Sequence, residues 1–199
     1  MAYHGLFPVM KSLLEQIPQP KVLEIGVDRG VTFLTLFHFL TLVHKEFLLE
    51  GVDIRFDETT KIMMDNFAVL YETQVAKFYL ENSLKFLENN KEKKYNLVLL
   101  DGDHNYFTVQ KELELLHEVA NENAMIICDD YFGRWSERDL FYSTRETHSK
   151  IKEATPVVQT EKHGVKAAVD EFLQLHPEWK LKYGSGEPVI LSRGNISVQ

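Results

Sequence analysis

The chain has 199 residues, 44% of them apolar and 26% charged. That composition excludes a disordered or fibrous chain and suits one globular domain over residues 1–199. Asp and Glu number 30 against 22 Lys and Arg, a formal charge of −8, which argues against a broad phosphate-tracking surface and hence against a nucleic-acid partner.

The single cysteine, Cys128, can form no intramolecular bridge, in keeping with a reducing compartment. The first twenty residues lack the basic stretch, apolar run and small-residue cleavage site of a secretory leader. The most apolar window, Val31–His44, is shorter than a membrane span and contains His38 and three threonines, so it reads as a buried helix. The expectation is a soluble, cytoplasmic protein without a membrane partner; a homo-oligomer stays open.

In chain order, Leu6, Val9, Met10, Leu13 and Leu14 recur at helical spacing and stop before Pro18 and Pro20. Lys21–Ile25 is a short strand ending at Gly26, and Val31, Leu34, Phe37 and Leu40 mark the next helix. Phe47–Asp53 predicts a second strand, Lys61–Leu70 a helix, Val75–Leu80 a third strand and Ser83–Asn89 a short helix. Tyr95–Leu100 is a buried-type strand running into Asp101. Val109, Leu113, Leu116 and Ala120 mark a helix, and Ala124–Cys128 is a fifth strand running into Asp129. Strands alternating with helices imply right-handed crossovers and an α/β, doubly wound, mostly parallel sheet. Residues 131–163 break the rhythm, as a lid or substrate-binding insertion or as an ordinary surface insertion with a short helix. Val165, Ala168, Val169, Phe172 and Leu173 form an amphipathic helix, and Trp179–Tyr183 with Pro188–Leu191 read as a C-terminal antiparallel hairpin turning at Gly184–Gly186.

Three groups of residues carry chemistry. Glu24, Gly26 and Gly30 stand where the first strand meets its helix; glycines allow a tight turn and close approach of a ligand to free helix N–H groups. Their Gly-x-x-x-Gly spacing differs from the dinucleotide fingerprint, which disfavours a nicotinamide-dependent oxidoreductase. Asp53 ends the second strand, 23 positions beyond Gly30, where a carboxylate can accept from both hydroxyls of a ribose or serve as a loop or helix-cap residue. Asp101-Gly-Asp103-His104 and Asp129-Asp130-Tyr131 follow the fourth and fifth strands. If those strands are neighbours, the carboxylates converge at one sheet edge and need a cation, raised pKa values or hydrogen-bond donors to coexist. An oxygen-rich set of Asp101, Asp129 and Asp130 suits Mg²⁺, Mn²⁺ or Ca²⁺; the plainer reading has Asp103 capping the next helix and Asp129 or Asp130 solvating a loop. His104 could accept a proton from a substrate hydroxyl, or hydrogen-bond locally. His38, His117 and His176 read as structural or exposed, His148 and His163 are not singled out, and Cys128 reads as inert packing.

VLEIGVDRG, GVDIR, YNLVLLDGDHNYFTVQKELELL and MIICDDY together resemble the class I S-adenosylmethionine-dependent methyltransferases. The resemblance is nearest to the small-molecule O-methyltransferase branch that includes relatives of macrocin O-methyltransferase, and it covers roughly residues 20–131. It implies a seven-stranded Rossmann-like sheet with the last strand antiparallel. It also implies that Glu24, Gly26 and Gly30 line the methionine end of the cofactor, that Asp53 holds the ribose, and that Asn82 and Ser83 lie near adenine. Asp101 would serve both cofactor and metal, with Asp129 and Asp130 completing a Mg²⁺ site and His104 as candidate base. The implied reaction is methyl transfer to a small-molecule hydroxyl. Two alternatives stand beside it: a metal-independent methyltransferase on another acceptor, and a catalytically silent nucleotide-binding protein.

Overall fold

The computed structural model describes residues 4–55, 58–62, 66, 76–183 and 188–194. Seven strands form one sheet: β1 (Lys21–Ile25), β2 (Leu48–Asp53), β3 (Ala76–Leu80), β4 (Tyr95–Leu100), β5 (Ala120–Cys128), β6 (Trp179–Tyr183) and β7 (Val189–Arg193). Their spatial order is β3-β2-β1-β4-β5-β7-β6. The first five run parallel, whereas β7 is antiparallel to β5 and β6 antiparallel to β7. The sequence expectation of a doubly wound sheet closed by a C-terminal hairpin is therefore met.

Strict alternation along the central strands splits the core into two faces. Leu97, Leu99, Met125 and Ile127 meet α1 (Phe7–Leu14) and α2 (Val31–Val43) through Met10, Leu14, Phe33, Leu36 and Leu40. Val98, Leu100, Ile126 and Cys128 meet α3 (Ser83–Asn89), α4 (Tyr106–Val119) and α5 (Gly164–Leu175) through Phe86, Leu113, Leu116, Val169 and Phe172. Each such fully buried aliphatic or aromatic side chain contributes about 1.5–3 kcal/mol by leaving water, so a strand buried on both faces reads as the near-continuous apolar run seen in YNLVLL. Among the described residues, no helix is long and apolar enough to cross a membrane.

Boundaries moved in a few places. The fourth-to-fifth crossover helix stops at Val119, and Ala120 already pairs with Tyr95 as the start of β5. The register then shifts between Tyr95 and Leu97, so three polar residues, Asn121, Glu122 and Asn123, precede the apolar stretch within a single strand, where the sequence pattern placed a loop. Of the expected helix at Lys61–Leu70, residues 61 and 62 are helical, continuous with 58–60, residue 66 is helical too, and the remainder lies outside the described residues. The hairpin turn at Gly184–Gly186 lies outside them too.

One polar group is buried in this core by design of its partners. Glu50, on β2, is fully buried, and accepts from Tyr95 Oη at 2.6 Å, Tyr79 Oη at 2.8 Å and Lys93 Nζ at 2.8 Å. Burial alone raises a carboxyl pKa, but these three donors outweigh it and hold Glu50 below its ordinary value of 4.5. Burial, and then the hydrogen bond and charge of Glu50, push Tyr79 up to about 12. A depressed carboxyl pKa stabilises the fold above the unfolded value, and that contribution fades as pH falls through the folded one. Replacing Lys93 by Met should therefore cost about 3 kcal/mol near neutral pH, as for a buried pair deprived of one partner. Urea unfolding should show the deficit shrinking as Glu50 protonates in acid; a deficit independent of pH would contradict this account.

Candidate functional site

The carboxyl ends of β1, β2, β3 and β4 open into one cleft whose walls include Gly26, Asp53, Asn82, Ser83 and Asp101. The turn after β1 is unusually close to the end of β4. Gly26 has φ of 86°, and a Cβ built on it would lie 2.0 Å from the Asp101 carbonyl oxygen, so no side chain fits there. Gly26 N–H donates to Val52 O at 2.9 Å, and Asp101 N–H to Ile25 O at 2.9 Å. Gly30 serves differently: it is the left-handed N-cap of α2, packed against Thr60, and does not line the cleft.

Asp53 ties this turn down. Its Oδ2 accepts from the backbone N–H groups of Val27 and Asp28, each at 2.8 Å, and its Oδ1 from Arg55 N–H at 3.0 Å. A carboxylate has about four acceptor positions, so roughly one is left for a ligand hydroxyl. Glu24 is buried below, with Oε2 lacking any partner; burial, then Asp101 and Asp53, push its pKa well above 4.5.

The adenine-side candidates are built into α3. Asn82 caps that helix, its Oδ1 accepting from Leu84 and Lys85 N–H, while its amide donates to Glu153 O at 2.9 Å and Thr155 Oγ1 at 3.1 Å. Ser83 donates to Glu112 Oε1 at 2.5 Å. Asp103 does not cap α4, a task done by Asn105 toward Thr108 N–H at 2.8 Å. Asp103 instead accepts from Tyr142 N–H at 3.0 Å and from Thr108 Oγ1 at 3.3 Å, joining the 131–163 segment to the cleft floor.

β4 and β5 are neighbours, so the two acidic motifs do converge. Asp101, His104 and Asp129 each offer a ligand atom within 4.8 Å of the others. His104 Nε2 lies 3.3 Å from Asp101 Oδ1 and 3.3 Å from Asp130 Oδ2, and Asp130 is held at a left-handed φ of 58°. The histidine is 6% exposed and stands behind Asp101 rather than on the cleft wall. Burial works against its charged form, but the Asp101 hydrogen bond and the charges of Asp101, Asp130 and Asp129 prevail, holding it above 6.5. Burial and then Asp101 raise Asp129 to about 7. Asp129 Oδ1 and His104 Nδ1 are buried without partners. Two orphaned buried donor atoms beside mutually repelling carboxylates are what a divalent-cation site presents before it is filled, and the Asp–Asp–His donor set fits such an ion.

Several cleft residues were not singled out from sequence. Tyr142, His148 and Thr155 reach the cleft from the 131–163 segment, and Arg55 follows Asp53; irregular backbone has no periodicity to betray such contacts. The segment is anchored by the His104–Leu140 bridge and by Asp139, which accepts from Tyr106 N–H and Gly164 N–H.

Glu112 did leave a signal, as a charged residue on the Val109–Leu113–Leu116 stripe of α4. It is fully buried with Oε2 unpartnered, and burial raises its pKa to about 8. A carboxyl raised in the folded state stabilises fully below its unfolded pKa and loses that contribution as pH rises through the folded one. Glu112→Gln should thus gain stability relative to wild type by roughly 3–5 kcal/mol between about pH 5 and about pH 9. Urea unfolding at the two pH values checks this, and a constant difference would contradict it.

The sequence matches the family described as methyltransferase domain over residues 23–131. No curated protein sequence matches the chain. Among solved structures, CalS11, titled a TDP-rhamnose 3′-O-methyltransferase of calicheamicin biosynthesis, is similar at 14% identity and TM-score 0.64, covering 94% of this chain and 77% of that one. An O-methyltransferase from Bacillus cereus, solved with S-adenosylhomocysteine, is similar at 15% identity and TM-score 0.57, covering 97% and 81%. An rRNA methylase from Streptococcus thermophilus is similar at 12% identity and TM-score 0.53, covering 92% and 93%. These likenesses bear on the fold. The family match spans β1 through the Asp129-Asp130-Tyr131 motif, and with it the chain belongs to the methyltransferase-domain family as an S-adenosylmethionine-dependent methyltransferase.

Proposed function

We propose that this enzyme methylates a hydroxyl of a small molecule with help from a divalent cation, in the manner of the branch that includes relatives of macrocin O-methyltransferase. The observation that carries the reading is the convergence of His104 and Asp129 on Asp101, which itself lines the cleft. Glu24, Gly26 and Gly30 would shape the methionine end of the cofactor site, with Asp101 beside it. Asp53 would offer its remaining acceptor position to the ribose, and Asn82 and Ser83 would bound the adenine. Asp101 and Asp129, with Asp130 beside them, would hold Mg²⁺ or a similar ion and leave His104 free to act as the base.

S-adenosylmethionine supplies an electrophilic methyl group for in-line displacement, and a bound cation supplies a charge that orients the acceptor hydroxyl and lowers its pKa. The chain's own residues do the rest. Asp101 lines the cleft and lies 3.3 Å from His104 Nε2, so this pair would take up the hydroxyl proton and leave His104 as the imidazolium. Asp130, 3.3 Å from the same nitrogen, stabilises the imidazolium so formed. Tyr142, His148 and Thr155 bring the 131–163 segment over the cleft, where it serves as the cover that excludes water and contacts the acceptor, within one domain spanning residues 1–199.

A likeness to an rRNA methylase raises an RNA acceptor as the competing case. The formal charge of −8 and the acidic rim oppose phosphate approach.

Calorimetric titration of S-adenosylhomocysteine tests the cofactor site, with binding expected both with Mg²⁺ and in excess chelator; no binding in either condition would remove the reading. Asp53→Ala should weaken that binding about tenfold or more. Once an acceptor hydroxyl is found by screening, His104→Gln should lower kcat by about 10²-fold or more while leaving cofactor affinity nearly unchanged. Chelator should abolish turnover and Mg²⁺ restore it, whereas chelator-insensitive turnover would select a metal-independent mechanism.

A further inference from the structure

Far from the cleft along the chain's fold, the last turn of α4, the end of α5 and the start of β6 bring two imidazoles and a carboxylate together. His117 belongs to α4, His176 caps the end of α5, and Glu178 immediately precedes Trp179 of β6. The two rings lie 4.1 Å apart between centroids. Glu178 Oε1 stands 3.5 Å from His117 Nδ1 and 4.0 Å from His176 Nδ1, and one ligand atom from each residue lies within 4.8 Å of the others. All three side chains keep partial access to solvent, at 25%, 18% and 41% exposure, so an ion can enter.

The hydrogen bonds around the cluster decide where the ring protons sit. The Trp179 indole is only a donor and points its N–H at His117 Nδ1, at 3.2 Å, so that nitrogen presents a lone pair. The Glu114 carboxylate is only an acceptor when ionised and lies 3.0 Å from His176 Nε2, so the proton belongs on Nε2 and the lone pair on Nδ1. In these tautomers the His176 Nδ1 lone pair and a Glu178 oxygen face a His117 Nδ1 whose lone pair only the Trp179 N–H engages. A cation relieves that arrangement. The Glu114–His176 contact also reproduces the carboxylate that orients a ligating imidazole from outside. Arg193 lies over Trp179 and donates to His117 O at 3.3 Å, so it is engaged beside the cluster and not within it.

We propose that His117, His176 and Glu178 form a second metal site, selective for an imidazole-seeking divalent ion such as Zn²⁺, with Glu114 orienting His176. Two nitrogens and one oxygen leave a fourth, open position of a tetrahedral site. Its donor types and its place in the last turn of α4, a helix that begins two residues after His104, separate it from the Asp101–His104–Asp129 cluster, whose two carboxylates suit a harder ion. Because the ligands come from three elements, the bound ion ties α4, α5 and β6 together and stabilises the folded state by mass action. The Nδ1 lone pair of His117 can serve only one partner, so the ion takes it from the Trp179 N–H. That exchange alters the surroundings of a buried indole.

The test is Zn²⁺ titration of the full chain, in excess Mg²⁺, followed by calorimetry, tryptophan fluorescence and thermal unfolding. In wild type and in Asp129→Asn, one Zn²⁺ should bind at this site, change the fluorescence and raise Tm. Glu178→Gln, at an exposed position that the fold does not depend on, should weaken that binding at least about tenfold and abolish the Tm rise. His176→Gln should do the same, and Glu114→Gln should weaken binding about tenfold through loss of orientation. Circular dichroism confirms that each variant is folded. Equal Zn²⁺ binding by wild type, Glu178→Gln and His176→Gln would overturn the proposal, as would a wild type that binds none in excess Mg²⁺ or binds it only at the cluster removed by Asp129→Asn.

Discussion

The turn after β1 rests on the carbonyl of Asp101 at a separation that admits no side chain, and the chemistry of the molecule follows from that contact. A Cβ at Gly26 would stand 2.0 Å from the Asp101 oxygen. With hydrogen there instead, the ends of β1 and β4 close up, Asp53 reaches across to two backbone N–H groups of the turn, and Glu24, Asp53 and Asp101 come within electrostatic range of one another. The cleft is the space left above this packing. Its shape is backbone geometry, which is why it needs no large side chain to define it.

Bringing carboxylates together has a cost that the molecule settles differently on its different sides. Glu50 is as buried as Glu112, yet its pKa falls while that of Glu112 rises. The difference lies in partners: two phenols and an ammonium donate to Glu50, whereas Glu112 receives only the Ser83 hydroxyl and keeps Oε2 orphaned. Glu24 and Asp129 share the second condition. The satisfied Glu50 ties β2 to β3 and β4; the unsatisfied carboxylates gather toward the sheet edge where a ligand or cation can complete them.

Most of the sheet was legible from the apolar runs. β1, β4, β6 and α3 fall where periodicity places them, because strands buried on both faces and a helix with an Asn cap carry strong local signals. Ala120 was not legible as strand: the three residues that follow it look like a loop until Tyr95 is seen pairing with Ala120. Among site residues, Asp53, Asp101, His104 and Asp129 were legible as polar residues directly following strands. Tyr142, His148 and Thr155 were not, since they reach the cleft on irregular backbone whose path is set by contacts with Asp103, His104 and Asn82. His117 and His176 read singly as structural residues, 59 positions apart in the chain, and only the packing of α5 on α4 makes them a pair.

The amino-acid sequence by itself determined the alternation of strand and helix, the glycine turn, and the acidic motifs that follow β4 and β5, because each depends on residues within a few positions of one another. Tertiary structure alone decided which carboxylates are satisfied and which are left wanting, that His104 stands behind Asp101 with Asp130 on its other side, and that Asp53 is largely committed to backbone donors. Those outcomes depend on desolvation and on distances of a few ångströms between elements far apart in the chain, and no local pattern encodes them.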